Sequence, residues 1–195
     1  MRRFRRPAVV FLFVCVFVAH AMFWWNGSLD DAFITFRYAN NIANHHEIVF
    51  NHGEHVEGIT NLGWALFLSL FADGDLLFVS KVSGLLCGVA TLVIIARWCR
   101  AQELSLTATA AALATLAVTP WAPYHAMTGL ETEAAMLLAT AGWVGFSEGA
   151  RWGAVGMGLA PWVRPDTALV AVICGRGNSH GSASRSAFGR VQASF

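Results

Sequence analysis

Charged side chains are scarce in this chain: 13% of its 195 residues are charged, whereas 56% are hydrophobic. Soluble domains usually carry about a quarter charged residues, so this composition does not suit a soluble globular core. The formal net charge of +1 provides no excess of basic side chains for a polyanion. No basic stripe with interleaved aromatic residues indicates a nucleic-acid partner. We therefore predict a membrane protein that does not bind nucleic acid.

Common signatures of metal and nucleotide sites are also missing. The four cysteines lie within apolar runs or at their ends and form no CxxC pair, so we interpret them as isolated buried thiols. Four histidines occur between residues 45 and 55 without an HExxH motif, and we interpret them as solvated loop side chains. No glycine-rich phosphate loop lies between a strand and a helix. We predict no metal and no cofactor, and leave a divalent cation at Asp30 and Asp31 as an alternative.

What the sequence does contain is a series of apolar runs. Residues 7–25 are long enough for a transmembrane helix of about 20 residues. The arginine-rich start and Ala19-His20-Ala21 would also suit a signal peptide, but the run continues through two tryptophans, which favours a retained helix. Further spans are predicted at residues 76–98, 104–119, 130–147, 152–163 and 167–174. We expect residues 1–174 to form an all-α, polytopic transmembrane helix bundle.

The distribution of arginine orients these spans. The arginines that flank them would share one side, and the positive-inside rule makes that side cytoplasmic. They are Arg2, Arg3, Arg5, Arg6, Arg97, Arg100 and Arg151. Three polar motifs would then open on the outer face: Asp30-Asp31, residues 128–131, and residues 164–166. We predict a multi-pass protein of the inner membrane with a cytoplasmic N-terminus and an outer loop at residues 26–75.

The outer loop is predicted to contain amphipathic helices that lie at the membrane interface. A helix over residues 29–44, with Ser28 as its N-cap, would align Asp30, Arg37, Asn41 and Asn44 in one polar stripe. Leu62 to Phe71 is too short to span and would lie at or dip into the outer interface. Adjacent carboxylates repel each other's charge, which suits one of them to proton abstraction.

Two features of the second long span carry predictions about packing. Lys81 lies one or two turns into it, where the side chain would snorkel outward. Gly84 and Gly88 form a GxxxG pattern, which indicates close helix packing. The last 21 residues, 175–195, are rich in Gly, Ser and Arg, and we interpret them as a disordered or frameshifted tail.

The polar motifs resemble those of the type C membrane glycosyltransferases that use polyprenyl-phosphate sugars. The likeness is to the mycobacterial terminal β-(1→2)-arabinofuranosyltransferase group, and it covers roughly residues 5–174. The matching residues are Asp30-Asp31, Phe36-Arg37-Tyr38, Asn41, Val49-Phe50-Asn51, Gly53-Glu54, Val56-Glu57-Gly58, Thr60-Asn61, Thr128-Gly129-Leu130-Glu131-Thr132 and Arg164-Pro165-Asp166. Members of that group are much longer, so the resemblance suggests an N-terminal part of such a protein.

The resemblance implies transfer of a sugar, with arabinofuranose as the candidate, from a polyprenyl-phosphate donor to a cell-envelope glycan or lipid acceptor by an inverting displacement. Asp30 would be the first choice as the base, with Asp31 positioning it or the acceptor. Arg37 or Arg164 would bind the donor phosphate. The sugar or acceptor would be bound by three residues: Glu57, Asn61 and Glu131.

Two other interpretations remain open. A transporter or flippase fragment would place ionisable groups near the bilayer midplane, whereas the predicted spans are nearly free of them. An inactive product of a truncated gene is compatible with a glycosyltransferase lineage and is the other alternative.

Overall fold

The computed structural model describes residues 2–54 and 58–173. Eight α-helices lie wholly within these ranges, and residues 168–173 are also helical. The eight helices are α1 Arg2–Phe23, α2 Asp31–His45, α3 Leu62–Ser69, α4 Leu76–Ala101, α5 Leu106–Val118, α6 Trp121–His125, α7 Thr132–Ser147 and α8 Arg151–Val163. A 3-10 turn, Pro165–Thr167, follows α8. No strand occurs in these residues, so the predicted all-α class is confirmed for them. The tail at 175–195 lies outside the described residues.

Among the described residues, two helices are long and apolar enough to cross a membrane, Arg6–Phe23 in α1 and the whole of α4. Only 11% of the first and 33% of the second is buried within the chain, whereas the core helix of a soluble protein would be mostly buried. Their apolar side chains therefore need a non-aqueous environment, which indicates membrane association. Cys15 belongs to this exposed surface of α1, so the prediction that every thiol is buried was wrong there.

Helices α1, α4 and α5 form the centre of the bundle. Arg6 Nη2 donates to Leu104 O at 2.6 Å, and His20 Nδ1 lies 3.2 Å from Ala117 O, so α1 and α5 run in the same direction. Helix α4 runs antiparallel to both. Side chains of all three helices and of the 122–127 segment build one apolar cluster: Phe17, Ala21, Leu92, Leu113, Ala117, Ala122, Ala126 and Met127.

Lys81 connects α4 to the end of α1. Its Nζ donates to Trp25 O at 2.6 Å and lies 5.5 Å from the centre of the Trp25 ring. The residue is only 5% exposed, so the prediction that Lys81 snorkels outward was wrong. The last carbonyls of a helix lack intrahelical partners, and the chain just beyond α1 presents this carbonyl beside α4, which draws the ammonium inward.

The GxxxG pattern of α4 does mark close packing, as predicted. A methyl group at Gly84 would come within 2.5 Å of the carbonyl oxygen of Ala126, and one at Gly88 would overlap the ring of Phe17. The missing side chains thus let α1 and the chain after α6 approach the α4 backbone directly. This contact fixes where the segment leading to residues 128–131 lies.

Helices α2 and α3 pack together beside the beginning of α4. Their shared apolar cluster contains Ala32, Phe36, Ala39, Trp64, Leu68 and Leu76. The predicted helix over residues 29–44 is observed as α2, but its N-cap is Asp30, whose carboxylate accepts from the Asp31 N–H at 3.2 Å. Ser28 does not cap it, because Leu29 N donates to Thr128 O and the helix begins only after that anchor.

Asn41 is not part of a solvated stripe on α2. It is 5% exposed, and its amide donates to Val49 O at 2.8 Å and to Phe50 O at 3.0 Å. His46, in the left-handed conformation at φ 57°, ends the helix and turns the chain back toward Asn41. The predicted interfacial polar face was therefore wrong at this position, because the loop after α2 folds over it.

Helices α7 and α8 form an antiparallel hairpin that packs on α4 through α7. Pro165 explains how this hairpin ends, since a residue before proline is disfavoured in the helical region. Arg164 accordingly adopts an extended conformation, with φ −153° and ψ 112°, and α8 stops at Val163. Arg164 therefore stands at a sharp corner just beyond the helix.

Candidate functional site

The bend at residues 128–131 is fixed from two sides. Gly129 has φ 88°, a left-handed conformation that side chains rarely adopt. Its carbonyl accepts from Trp64 Nε1 at 3.3 Å, while the Thr128 carbonyl accepts from Leu29 N at 3.1 Å. The bend thus contacts both α3 and the start of α2, and it directs Glu131 toward the space between them.

Glu131 meets Asn61 and Thr35 in a buried hydrogen-bond network. Asn61 Nδ2 donates to Glu131 Oε2 at 2.7 Å and to Thr35 Oγ1 at 3.0 Å. All three residues are at most 9% exposed. Buried polar groups are costly when unpaired and gain strength from one another when paired. The network therefore holds three separate parts of the chain, α2, the start of α3 and the bend, in one arrangement.

Arg164 borders this network from the α8 corner. Its Nη1 donates to Thr132 Oγ1 at 3.1 Å, its Nε donates to Asp166 Oδ2 at 3.1 Å, and Nη1 lies 3.9 Å from Glu131 Oε1. The Arg164 side chain is 41% exposed, whereas that of Glu131 is only 12% exposed. Thr132 and Asp166 thus hold the guanidinium in place, and these contacts use only some of its five N–H donors. It can still receive an anion from solvent.

His125 is a site residue that the sequence analysis missed. Burial lowers its pKa, Arg164 lowers it further, and Glu131 acts in the opposite direction. Both ring nitrogens are buried without a hydrogen-bond partner among the described residues, and the ring lies 4.3 Å from that of Trp121. Burial and Arg164 thus disfavour the charged form of the imidazole. The sequence contained one indication of this role: His125 lies three residues before Thr128, the first residue of a bend that was predicted to be functional.

The two aspartates lie at the exposed beginning of α2 and point to different sides of it. Asp31 precedes Thr35 by four residues, so the two share a face with Cβ atoms about 5–6 Å apart. Asp30 shares its face instead with Arg37, seven residues on. Both carboxylates are exposed. Asp31 therefore lies at the rim of the buried network, and Asp30 lies around the side of the helix.

Arg37 is separate from the Arg164 corner. Its Nε donates to Phe50 O at 3.2 Å, and its guanidinium carbon lies 6.0 Å from the centre of the Phe50 ring. The structure thus brings together Asn61, Glu131 and Arg164 but places Arg37 against the loop after α2. Glu57, the remaining predicted sugar ligand, lies outside the described residues.

A cleft of about 250 Å³ opens beside the network. Tyr38 of α2, Pro165 of the α8 corner, and residues 58–60, Ile48 and Leu62 line it. Its walls include residues on both sides of the network, because Tyr38 follows Thr35 on the same helical face and Leu62 follows Asn61. The cleft is slightly smaller than the roughly 300–1,000 Å³ typical of pockets for drug-sized ligands.

Within residues 2–54 and 58–173, no group of three or more His, Cys, Asp or Glu side chains is arranged to hold a metal ion. His45 and His52 lie with ring centres 4.2 Å apart, and His52 Nδ1 is 3.1 Å from Glu47 Oε2. The His52 and Glu47 side chains are about half exposed. These contacts suit a solvated loop.

Compared with known proteins, the chain matches no family model, no curated protein and no solved structure. Its resemblance to the type C glycosyltransferases therefore depends on the motifs alone.

Proposed function

We propose that this chain belongs to a membrane glycosyltransferase that transfers a sugar from a polyprenyl-phosphate donor to a cell-envelope glycan or lipid. The observation that carries the proposal is the convergence of Asn61, Glu131 and Arg164, from three distant motifs, beside the acidic start of α2. This polar site lies at one end of a bundle whose long helices suit a membrane. A lipid-linked substrate would meet the site at such a boundary.

The proposed reaction is a single displacement at the anomeric carbon. A carboxylate takes the proton of the acceptor hydroxyl, the acceptor oxygen bonds to the anomeric carbon, and the bond to the donor phosphate breaks with its electron pair leaving on the phosphate. The configuration inverts. We assign the base to Asp31 rather than to Asp30, because Asp31 shares the face of α2 that carries Thr35 and the network.

Arg164 is the better candidate of the two arginines for the departing phosphate. Thr132 and Asp166 hold its guanidinium in place, and that group still has N–H donors that these contacts do not use. Arg37 already uses its Nε on Phe50 O and lies over that residue's ring. A guanidinium fixed before the reaction stabilises developing phosphate charge without reorganisation.

Glu131 and Asn61 take different parts in this proposal. Glu131 Oε1 faces Arg164 at a longer distance and is the oxygen available to a sugar hydroxyl. Asn61 donates to the other oxygen, Oε2, and is therefore a positioning residue. The adjacent cleft, at about 250 Å³, would hold the sugar unit. The polyprenyl chain would remain in the membrane.

The test is sugar transfer by the chain reconstituted in liposomes. A radiolabelled polyprenyl-phosphate arabinofuranose is the donor, and a lipid-linked oligosaccharide is the acceptor. Asp31→Asn should lower kcat by about 10²- to 10⁴-fold, the usual contribution of a general base. Arg164→Gln should lower kcat far more than Arg37→Gln. The matched control is Asp73→Asn, an exposed carboxylate in the turn before α4, which should leave transfer unchanged.

Two results would contradict the proposal. Unchanged transfer in Asp31→Asn would remove the assignment of the base, and unchanged transfer in both Asp30→Asn and Asp31→Asn would remove the acidic pair from the mechanism. Movement of intact donor across the bilayer without sugar transfer would favour a transporter instead.

A further inference from the structure

An apolar groove of the central bundle lies at the end opposite the polar network. It encloses about 420 Å³ between α1 and α4, with Thr109 of α5 at its edge. Its walls are aliphatic: Val10, Val14, Val89, Val93 and Ala96. Phe11 and Val93 are exposed there, so the groove opens sideways from the bundle. In a membrane, that opening would face lipid.

Three arginines surround one end of this groove: Arg6, Arg97 and Arg100. Arg6 is anchored by its bond to Leu104 O. Arg97 and Arg100 are exposed, and among the described residues neither has a carboxylate within ion-pair distance. Glu103 follows Arg100 by three residues, and its N–H donates to Arg100 O at 3.1 Å, but no ion pair joins the two side chains. Glu148 lies with Arg97 beside a different cavity, between α4 and α7. The groove thus combines a concentrated positive charge with a largely apolar interior.

We infer that this groove binds one anionic phospholipid, with its phosphate at the three arginines and an acyl chain along the valines. Val89 and Arg100 are eleven residues apart on α4, which corresponds to about 16 Å. That length is about half of a hydrocarbon core that is roughly 30 Å thick, as expected for a chain within one leaflet. Basic pockets between transmembrane helices are known to attract anionic headgroups.

The apolar depth of the groove selects a lipid over a soluble anion. A free phosphate would use the arginines but leave the aliphatic walls exposed, whereas a phospholipid covers both. The groove is also independent of the proposed glycosyl-transfer site. Lys81 and Arg97 lie sixteen residues apart on α4, about 24 Å, so a headgroup at the arginines cannot reach the network.

The test uses the whole chain purified in nonionic detergent. The probes are phosphatidylglycerol and phosphatidylcholine that carry the same photoactivatable acyl chain, and labelled peptides are identified by mass spectrometry. We expect phosphatidylglycerol to label peptides containing residues 10–14 and 89–93 in clear preference to phosphatidylcholine. Replacing two arginines in R97Q/R100Q should weaken its binding about 30-fold, at about 1 kcal/mol for each basic residue near an anionic lipid.

Two further variants separate charge from shape. Arg151→Gln removes an exposed arginine that does not line the groove, and it should change binding less than about twofold. Val93→Trp keeps all three arginines but fills the groove, and it should abolish acyl-chain labelling at residues 10–14. Helical circular dichroism of each variant confirms folding.

Three outcomes would overturn the inference. The first is equal labelling by the two lipids in the unmodified chain. The second is unchanged phosphatidylglycerol binding in folded R97Q/R100Q. The third is displacement of the lipid by inorganic phosphate at millimolar concentration, which would identify a soluble-anion site.

Discussion

The two ends of α4 treat charge in opposite ways. Near its beginning, Lys81 is buried against Trp25 O, and the adjacent network pairs Asn61 with Glu131 across 70 positions of the chain. Near its end, Arg97 and Arg100 are exposed and unpaired within the described residues. At the first end, Lys81, Asn61 and Glu131 are paired within the protein, and these bonds hold the surrounding segments in place. At the second end, the exposed charges have no ion-pair partner among the described residues and are accessible to a ligand.

The buried charges stabilise the fold, whereas the exposed charges are available to bind a ligand. A buried hydrogen bond to a charged group contributes about 1.5–3 kcal/mol to stability, whereas an exposed charge contributes little. Substitutions at the network end should therefore change stability. Substitutions at the arginine end should change lipid binding and leave stability almost unchanged.

The largest effect on stability is expected at Gly84, where the chain after α6 contacts the α4 backbone directly. Gly84→Leu would drive a side chain into the Ala126 carbonyl, and we expect a loss of about 3 kcal/mol or more in the free energy of unfolding. Gly158→Leu is the matched control, because Gly158 also lies within a helix but a Cβ atom there would meet no neighbouring atom within 4 Å. Unfolding in mixed micelles measures both. Equal losses would mean that the close approach at Gly84 is not real.

The next effect concerns the network itself. Asn61→Leu keeps the approximate size of the side chain but removes the donor to Glu131 Oε2 and Thr35 Oγ1. We expect a loss of about 2–3 kcal/mol in unfolding free energy. Asn44→Leu, at an exposed asparagine of α2, should stay within about 0.5 kcal/mol of the unmodified chain. An unchanged free energy of unfolding in Asn61→Leu would contradict the proposed difference between the two ends of α4.

A smaller, pH-dependent effect is expected from His125. Because burial and Arg164 lower its pKa in the folded chain, the unfolded chain takes up this proton first as the pH falls below about 6.5. The contribution of His125 to stability is therefore present above that pH and is lost on acidification toward the lower folded pKa. His125→Phe keeps an aromatic ring and should show less acid destabilisation between pH 7.5 and 5. Parallel curves for the two proteins would contradict this sign.

The smallest effect is expected at the arginine end. R97Q/R100Q should shift the unfolding free energy by less than about 0.5 kcal/mol in lipid-free detergent, because exposed unpaired charges carry little stability. The same measurement with phosphatidylglycerol present should show a loss of ligand stabilisation. Marked destabilisation without lipid would show that these arginines have internal partners.

Much of the helical framework could be predicted from residue patterns. The turn around Asp73 and Asp75 predicted the start of α4, and Asp75 caps it by accepting from Phe78 N at 3.0 Å. The predicted helix over residues 29–44 corresponds to α2 within two residues. Such features depend on neighbours in sequence, so local periodicity and capping preferences are sufficient to identify them.

The errors arose where a distant backbone group decides the outcome. Lys81 was predicted to point outward from its position near the end of a span. The sequence pattern does not reveal that the Trp25 carbonyl lies beside it. Asn41 follows the polar period of α2, but the loop at residues 49–50 folds over it and uses its amide. His125 becomes part of the site only because α8 returns Arg164 to the bend. Long-range geometry of this kind is not contained in spacing.

The contact between Gly84 and Ala126 has a consequence for the surrounding bilayer. Helix α4 has 26 residues, about 39 Å, which exceeds a hydrocarbon core of roughly 30 Å, and long helices adapt to thin membranes by tilting. Because no side chain cushions that contact, a tilt of α4 would carry the glycine bend and Glu131 with it. The rate of the proposed sugar transfer should then depend on membrane thickness and be greatest at one acyl-chain length. A flat response across bilayers from short to long lipids would refute this coupling.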